Sequence, residues 1–412
     1  MKIENAEVTS FSWRVPAIDG LRALAMLMVY SYHVWQFSGS PEKILNLGTY
    51  SLNLFGIFGT FPAGVDLFMV LSGFCLFLPL CKSPESLANW NIKQYFVRRV
   101  RRIVPPYYAA ILYAILLPQV LVILFRVLGQ KANWQPFPAP LDFFSHLFFV
   151  HTLFLSTWEG INGSFWSLGL EAQFYLTFPL VVFAFRRFGT RVFWAMIGIS
   201  MLYRALADFV LSPQSSGAAQ FLYSIFFLGR WMQFALGMAA AWLVAKHWKA
   251  KQWRSPVAGS VAIALCAALY ALAVSSFASV LPRLPLRDLL LGLSYAGLII
   301  ALCVTKTPLR ALFENKAMVG LGFISYSFFL IHQPTAWFFS EMMKKKLGVG
   351  GETLFYALCS AGFLVVLGIS YLFFVVFERP FLGGAKMPAT GSSNQNSRPE
   401  ATTASIQDQA IL

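Results

Sequence analysis

Apolar stretches of membrane-spanning length recur along this chain, and that recurrence fixes the solvent in which it can fold. They run over Ile18–Phe37, Phe61–Leu80, Val104–Leu128, Trp166–Phe185, Val192–Leu211, Phe221–Ala245, Pro256–Ser276, Leu286–Thr305, Ala317–Phe339 and Thr353–Phe377. A helix of about 20 apolar residues crosses the ~30 Å hydrocarbon core, and only helices or closed barrels satisfy all their backbone groups there. Charged residues make up 12% of the chain, about half the ~25% usual in soluble domains. The expected fold is an all-α integral membrane protein with about ten transmembrane helices.

Loop charge sets the expected topology. Leu141–Ser156 is a shorter apolar stretch carrying His146 and His151. If it does not span, the loops on one side hold 16 Lys/Arg and those on the other hold 7. If it spans, the split becomes 11 to 12. Only the first arrangement follows the positive-inside rule, so both termini are expected in the cytoplasm, with Leu141–Ser156 in or along the outer face. Lys344–Lys346 runs against the rule. The net charge of +15 is thereby assigned to topology, and nucleic acid is not an expected partner. The expected domains are a cytoplasmic segment over 1–14, a membrane domain over 15–382 and a disordered polar tail over 383–412. The start of the chain has no signal-peptide core, so the first helix is expected to stay in the mature protein. Cys75, Cys81, Cys266, Cys303 and Cys359 form no CxxC pair and read as small buried hydrophobes; no metal site is expected.

Ionisable side chains inside such helices are costly and mark function. The first helix holds two, Arg22 and His33. Eleven residues return to within ~20° of the same direction and rise about 16–17 Å, so both share a face at different depths. Asp19, three residues before Arg22, is positioned to pair with it. The run Arg98-Arg99-Val100-Arg101-Arg102 precedes the third segment on the cytoplasmic side, and guanidinium forks suit phosphate. Glu171 in the stretch Asn162–Pro179 has an expected depth of ~9 Å from the outer face, close to the ~8 Å expected for His33. That match predicts a carboxylate–imidazole dyad for proton handling. Asp66 and Ser72 in Gly64–Phe74 and His332 in Gly322–Pro334 are weaker candidates for contacting substrate.

Taken together, these motifs resemble the acyltransferase family 3 membrane enzymes. The carriers are Arg22 and His33 with ten residues between them on the first helix, GVDLFMVLSGF, RRVRRIVPPYY, WSLGLEAQFY, GFISYSFFLIHQP and FERPF, spread over about residues 14–382. The resemblance implies O-acylation of a carbohydrate or glycolipid acceptor from cytoplasmic acyl-CoA, foremost acetyl-CoA, in the bacterial inner membrane. It makes Arg22 and His33 the essential arginine and histidine, Glu171 the glutamate of the WSLxxE segment, and either Arg98/Arg101 or Arg99/Arg102 the RxxR pair. Ala172 stands where many members have a second glutamate, and an esterase-like extracellular domain found in some members is not expected.

The expected reaction runs through one tunnel. Acyl-CoA phosphates bind Arg22 and the arginine run, the thioester reaches His33, and His33 with Glu171 either deprotonates an acceptor hydroxyl or takes the acyl group transiently. Membrane lipid and a second copy of the chain are the other expected contacts. The rival is a transporter or flippase with Arg22, His33 and Glu171 on its path.

Overall fold

The computed structural model describes residues 15–47, 50–131, 133–134, 136–210, 225–247, 255–275 and 286–382; the expected segment 1–14 and tail 383–412 lie outside them. Helix α1, Pro16–Phe37, opens on a proline at its first position, where a missing N–H removes no bond. A short hairpin, β1 (Ile44–Leu47) against β2 (Tyr50–Asn53), follows with Leu45 opposite Leu52. Then come α2 (Ala63–Phe77), α3 (Pro84–Ala88), α4 (Ile92–Val127), α5 (Pro140–Leu147), α6 (Trp166–Phe188), α7 (Arg191–Val210), α8 (Phe227–His247), α9 (Pro256–Val274) and α10 (Leu286–Val304). Helices α11 (Arg310–Glu314), α12 (Lys316–Phe323), α13 (Ser325–Leu347), α14 (Gly351–Ala357) and α15 (Phe363–Phe373) complete the chain.

Seven helical stretches among the described residues are long and apolar enough to cross a membrane: Ala63–Cys81, Ile92–Val127, Trp166–Phe188, Phe227–His247, Pro256–Val274, Leu286–Val304 and Gly351–Phe381. Helices α1, α7 and α13 have comparable lengths of 22, 20 and 23 residues and carry internal charge. Large side chains face outward along the bundle, with Leu180, Phe183 and Trp194 at 70%, 71% and 74% exposure, while Phe174 and Phe178 of the same α6 turn inward. This is a multi-pass membrane protein.

Lipid supplies no hydrophobic drive for helices to associate, so close approach through small residues takes its place. A Cβ added to Gly73 of α2 would sit 2.2 Å from the Phe234 carbonyl oxygen of α8, and one added to Gly237 of α8 would sit 2.0 Å from that of Val70. The two helices therefore meet backbone to backbone. Gly20 and Gly322 make the same kind of contact, at 2.0 Å to the Phe313 and 1.9 Å to the Asp19 carbonyl oxygens, clamping α1 onto α11 and α12.

The same helices are also joined by buried charge. Asp66 of α2 accepts from Arg230 and, at 3.0 Å, from Gln233 Nε2 of α8. Arg204 of α7 pairs with Asp288 of α10, which lies 4.0 Å from Arg230. Two arginines and two aspartates thus neutralise each other within the bundle, as buried charges require. This corrects the expectation for Asp66. Its carboxylate ties α2 to α8 rather than facing a substrate.

Leu141–Ser156 does not cross. Helix α5 has 8 residues, a rise of ~12 Å, and the chain then turns through Phe149 at φ 58°. That turn brings His146 and His151 together. Their rings stack at 4.0 Å and 7°, both fully buried. His146 Nδ1 donates to the Asp142 carbonyl at 2.9 Å, and the His151 Nε2–H to the Phe165 carbonyl at 3.0 Å. Burial pushes both imidazoles down, His151 to about 3 with His146 adding to the effect, while Asp142 partly offsets it at His146.

Two tests follow from this packing. Gly237→Val forces α2 and α8 apart and is expected to lose about 1–3 kcal/mol, read as a lower melting temperature in detergent, whereas Gly368→Val, with nothing within 4 Å of its Cβ, leaves it unchanged. A histidine titrates near 6.5 when unfolded, so below that pH the unfolded chain binds protons that folded His151 refuses. Stability present above pH 6.5 is then lost as pH falls toward 3. Melting temperature is expected to drop between pH 7 and 5, and His151→Gln flattens that slope.

Candidate active site

Five helices converge on a cavity lined by Arg22 of α1, Ser72 and Cys75 of α2, Arg99 and Arg102 of α4, Glu171 of α6 and Tyr326 of α13. Arg22 donates to Asp19 Oδ1 at 3.0 Å, one helical turn back, and to Cys75 Sγ at 3.2 Å. The register of α4 decides among the four arginines. Arg99 and Arg102 are three apart and line the cavity. Arg98 opens instead into an adjoining groove with Lys82 and Trp90, which runs into the cavity at Leu76 and Arg99. Arg101 is exposed on the opposite side and reaches neither. The expectation that all four gather is corrected accordingly, and Arg99/Arg102 is the pair that meets Arg22.

Arg99 is the unusual one. It is 6% exposed, and its Nε and Nη2 are buried with no hydrogen-bond partner. Its guanidinium lies 5.8 Å from the Tyr95 ring centroid and 5.5 Å from that of Tyr175, which holds it without satisfying its N–H groups. A buried donor left unpaired costs about 1–3 kcal/mol, and more when charged. The aromatic cradle thus keeps a cation ready for an anion.

Glu171 belongs to this cavity. It accepts from Ser72 Oγ at 3.3 Å and from the Tyr175 hydroxyl. No hydrogen bond or ion pair joins it to His33, which corrects the expected dyad. Glu171 shares a cavity with Arg22 instead, because α6 packs on α2, α7 and α8, while α1 packs on α2, α11, α12 and α13.

His33 meets another histidine. Its Nδ1 lies 3.2 Å from Gln36 Oε1, and its ring is 5.3 Å from that of His332 on α13. His332 is 1% exposed. Its Nδ1 bonds the Phe329 carbonyl at 2.7 Å, and its Nε2 is buried without a partner. A carbonyl only accepts, so Nδ1 carries the proton and Nε2 holds a lone pair. The same logic with Gln36 Oε1 leaves His33 Nε2 basic. Two imidazoles with their second nitrogens available therefore face each other.

The single expected tunnel is two spaces in series. Phe68 and Phe329 both line the arginine cavity and meet edge to face at 5.5 Å; beyond them, the His332 ring lies 5.4 Å from Phe329. On the far side of the histidines, a second cavity of about 480 Å³ begins at Phe37, which stacks on His33 at 6.2 Å. Ser72 lines the first space and His332 sits between the two.

Several participants had a sequence signal that went unused. Glu378 of the FERPF motif is 1% exposed and accepts from Ser327 Oγ at 2.5 Å. Tyr175 lies one turn beyond Glu171. Arg204, Arg230 and Asp288 are ionisable residues within or at the edge of apolar segments, the same signal that marked Arg22.

A family model described as an acyltransferase domain, that of the acyltransferase 3 family, matches residues 15–375. The peptidoglycan O-acetyltransferase OatA of Listeria monocytogenes is 25% identical over 337 residues, covering 78% of this chain and 49% of that protein. The O-acetyltransferase OatA of Staphylococcus aureus is 27% identical over 191 residues, covering 43% of this chain and 26% of that protein. The chain thus spans about half the length, or less, of these relatives. No solved structure matches. Since the family model runs through the arginine cavity and both facing histidines, the chain belongs to the acyltransferase 3 family.

Proposed function

We propose that this protein is a multi-pass O-acetyltransferase of the bacterial inner membrane that moves an acetyl group from cytoplasmic acetyl-CoA to a hydroxyl of a cell-surface glycan. The relatives' names point to peptidoglycan as the acceptor. In this reading α1, α7 and α13 also cross, giving ten spans with both termini in the cytoplasm, and residues 15–382 form one acyltransferase domain. The observation that carries it is the cavity with three guanidiniums, Arg22, Arg99 and Arg102, against a single lining carboxylate, Glu171.

The diphosphate of the donor pairs with Arg99 and Arg102, whose forks match phosphate oxygens, and the groove at Arg98, Lys82 and Trp90 receives the nucleotide. The pantetheine arm then extends past Phe68 and Phe329, a reach of about 16 Å by the rise from Arg22 to His33. Glu171, held by Ser72 and Tyr175, fixes the polar wall along the arm. At the histidines, His33 Nε2 takes the proton of the acceptor hydroxyl. The oxygen attacks the thioester carbonyl, the C–S bond breaks, and the thiolate recovers the proton from His33. His332 supports His33 by offering a second neutral nitrogen, which favours proton transfer over a stable ion pair.

His33→Ala is expected to lower acetyl transfer in purified, detergent-solubilised protein by about 10²–10⁴-fold, the usual worth of a positioned general base, while acetyl-CoA still binds. Transfer at the parental rate would remove His33 from the chemistry. Arg99→Gln is expected to raise the KM for acetyl-CoA by about tenfold or more, since a charge-assisted bond is worth roughly 1.5–3 kcal/mol. An unchanged KM would put the donor phosphates elsewhere.

A further inference from the structure

A third cavity, of about 530 Å³, lies between α6, α7 and α8 and shares no lining residue with the other two. Its floor is Val181 of α6 with Val192 and Met196 of α7, all buried. Its walls are Leu180, Phe188 and Ile199, which are 70%, 57% and 44% exposed. Besides the Trp231 ring, two lining side chains carry polar atoms. Thr177 Oγ1 is spent on the main-chain carbonyls of Gln173 and Phe174, at 3.0 and 3.2 Å. The other is Arg191, exposed at the first position of α7.

This slot has the depth of one leaflet. From Thr177 to Phe188, α6 rises about 16–17 Å, and from Arg191 to Ile199, α7 rises about 12 Å, against ~15 Å for half of a ~30 Å hydrocarbon core. It ends where α8 begins. Ser200 Oγ donates to the Gly229 carbonyl at 3.0 Å, so the first turn of α8, with Phe227 and Leu228 in the lining, stands level with α7 at residue 200. The opposite end is the turn between α6 and α7. That turn carries Arg186, Arg187 and Arg191, and no acidic residue occurs from Ala172 to Ala207. Arg186 is committed to the carbonyls of Leu87 and Ala88 at the end of α3. The guanidiniums of Arg187 and Arg191 are exposed and have no ion pair or hydrogen bond among the described residues.

A groove that is apolar for one leaflet and cationic at its mouth matches a molecule with an apolar chain and an anionic head. A helix is ~10 Å across and over 12 Å of length would need about 900 Å³, so the slot suits a hydrocarbon chain better than a helix of a second copy. Arginine forks bind phosphate oxygens at two points, and cations beside a membrane surface draw anionic lipid. We infer that this slot binds one anionic phospholipid of the cytoplasmic leaflet, the side on which loop charge places the α6–α7 turn. One acyl chain lies over Val181, Val192 and Met196, and the phosphate sits at Arg191 with Arg187 four residues before it. The site is separate from the transfer reaction and does not depend on how that reaction runs.

The test is native mass spectrometry of the full chain released from nonionic-detergent micelles. It is titrated with phosphatidylglycerol and, separately, with phosphatidylcholine bearing the same acyl chains. The parent is expected to bind its first phosphatidylglycerol about tenfold or more tightly than phosphatidylcholine, since each arginine beside an anionic headgroup is worth about fivefold. Replacing Arg187 and Arg191 together by glutamine brings the two lipids within about threefold of each other. Lys306→Gln, at another exposed cation, leaves the preference intact. Ala195→Phe puts a ring into the slot from α7 and is expected to weaken both lipids about tenfold or more, as each buried methylene displaced is worth about fourfold. If that variant melts below the parent, Ala184→Leu on the α6 wall takes its place with the same expectation. Equal affinity of the parent for the two lipids, or phosphatidylglycerol binding unchanged by the arginine pair or by the slot-filling variant, overturns the assignment. A parent dimer that Ala195→Phe turns into a monomer with lipid binding unchanged also overturns it and gives the slot to a second copy.

Discussion

A guanidinium buried among helices, with two of its N–H groups unmet, is the constraint that organises this molecule. Arg99 gains from the faces of Tyr95 and Tyr175 part of what it loses by leaving water, and the two tyrosines are themselves tied by the Tyr95 hydroxyl to the Tyr175 carbonyl at 3.1 Å. Tyr175 in turn donates to Glu171, which accepts from Ser72. One cation therefore fixes a chain of contacts across α4, α6 and α2. Arg22 joins it from α1 through Cys75. The bundle is assembled so that this uncomfortable group opens on the cavity that it shares with Arg22 and Arg102.

The second electrostatic cluster has the opposite character. Asp66, Arg230, Asp288 and Arg204 balance one another, two charges of each sign, and bind α2, α7, α8 and α10 into a rigid half. The glycine contact between Gly73 and Gly237 lies on the same α2–α8 seam. Where charges are matched the structure is closed; where they are left in excess it is open. That contrast separates scaffold from site more sharply than burial does, since Asp66 and Arg99 have nearly the same exposure, 5% and 6%.

Much of this could be read from residues alone, and the limit of that reading has a physical reason. Periodicity along one helix is local, so the shared face of Arg22 and His33 and the pairing of Arg22 with Asp19 followed from spacing. Loop charge is additive, so it separated Leu141–Ser156 from the spanning segments. The choice of Arg99/Arg102 was also within reach, because Tyr95, Arg99 and Arg102 follow the i, i+4, i+7 pattern of one face. Which helix stands beside which was not local. Counting residues assigns Glu171 and His33 one depth, yet Glu171 lines the cavity of Arg22. Asp66 finds Arg230 only 164 positions further along the chain, and nothing in the spacing of either announces the other.

Two spaces divided by Phe68 and Phe329 pose a problem that a single tunnel would not. In the proposed reaction a donor from the cytoplasm and an acceptor from outside must meet without opening a continuous path for water and ions. A pair of apolar rings between a cationic cavity and a pair of neutral imidazoles meets that demand, since it excludes water while either substrate is absent and gives way to a thin apolar-edged arm by side-chain rotation alone. The two histidines fit the same requirement. Phe329 supplies both the ring of the partition and the carbonyl that holds the proton on His332 Nδ1, so the residue that closes the passage also sets the tautomer on its far side.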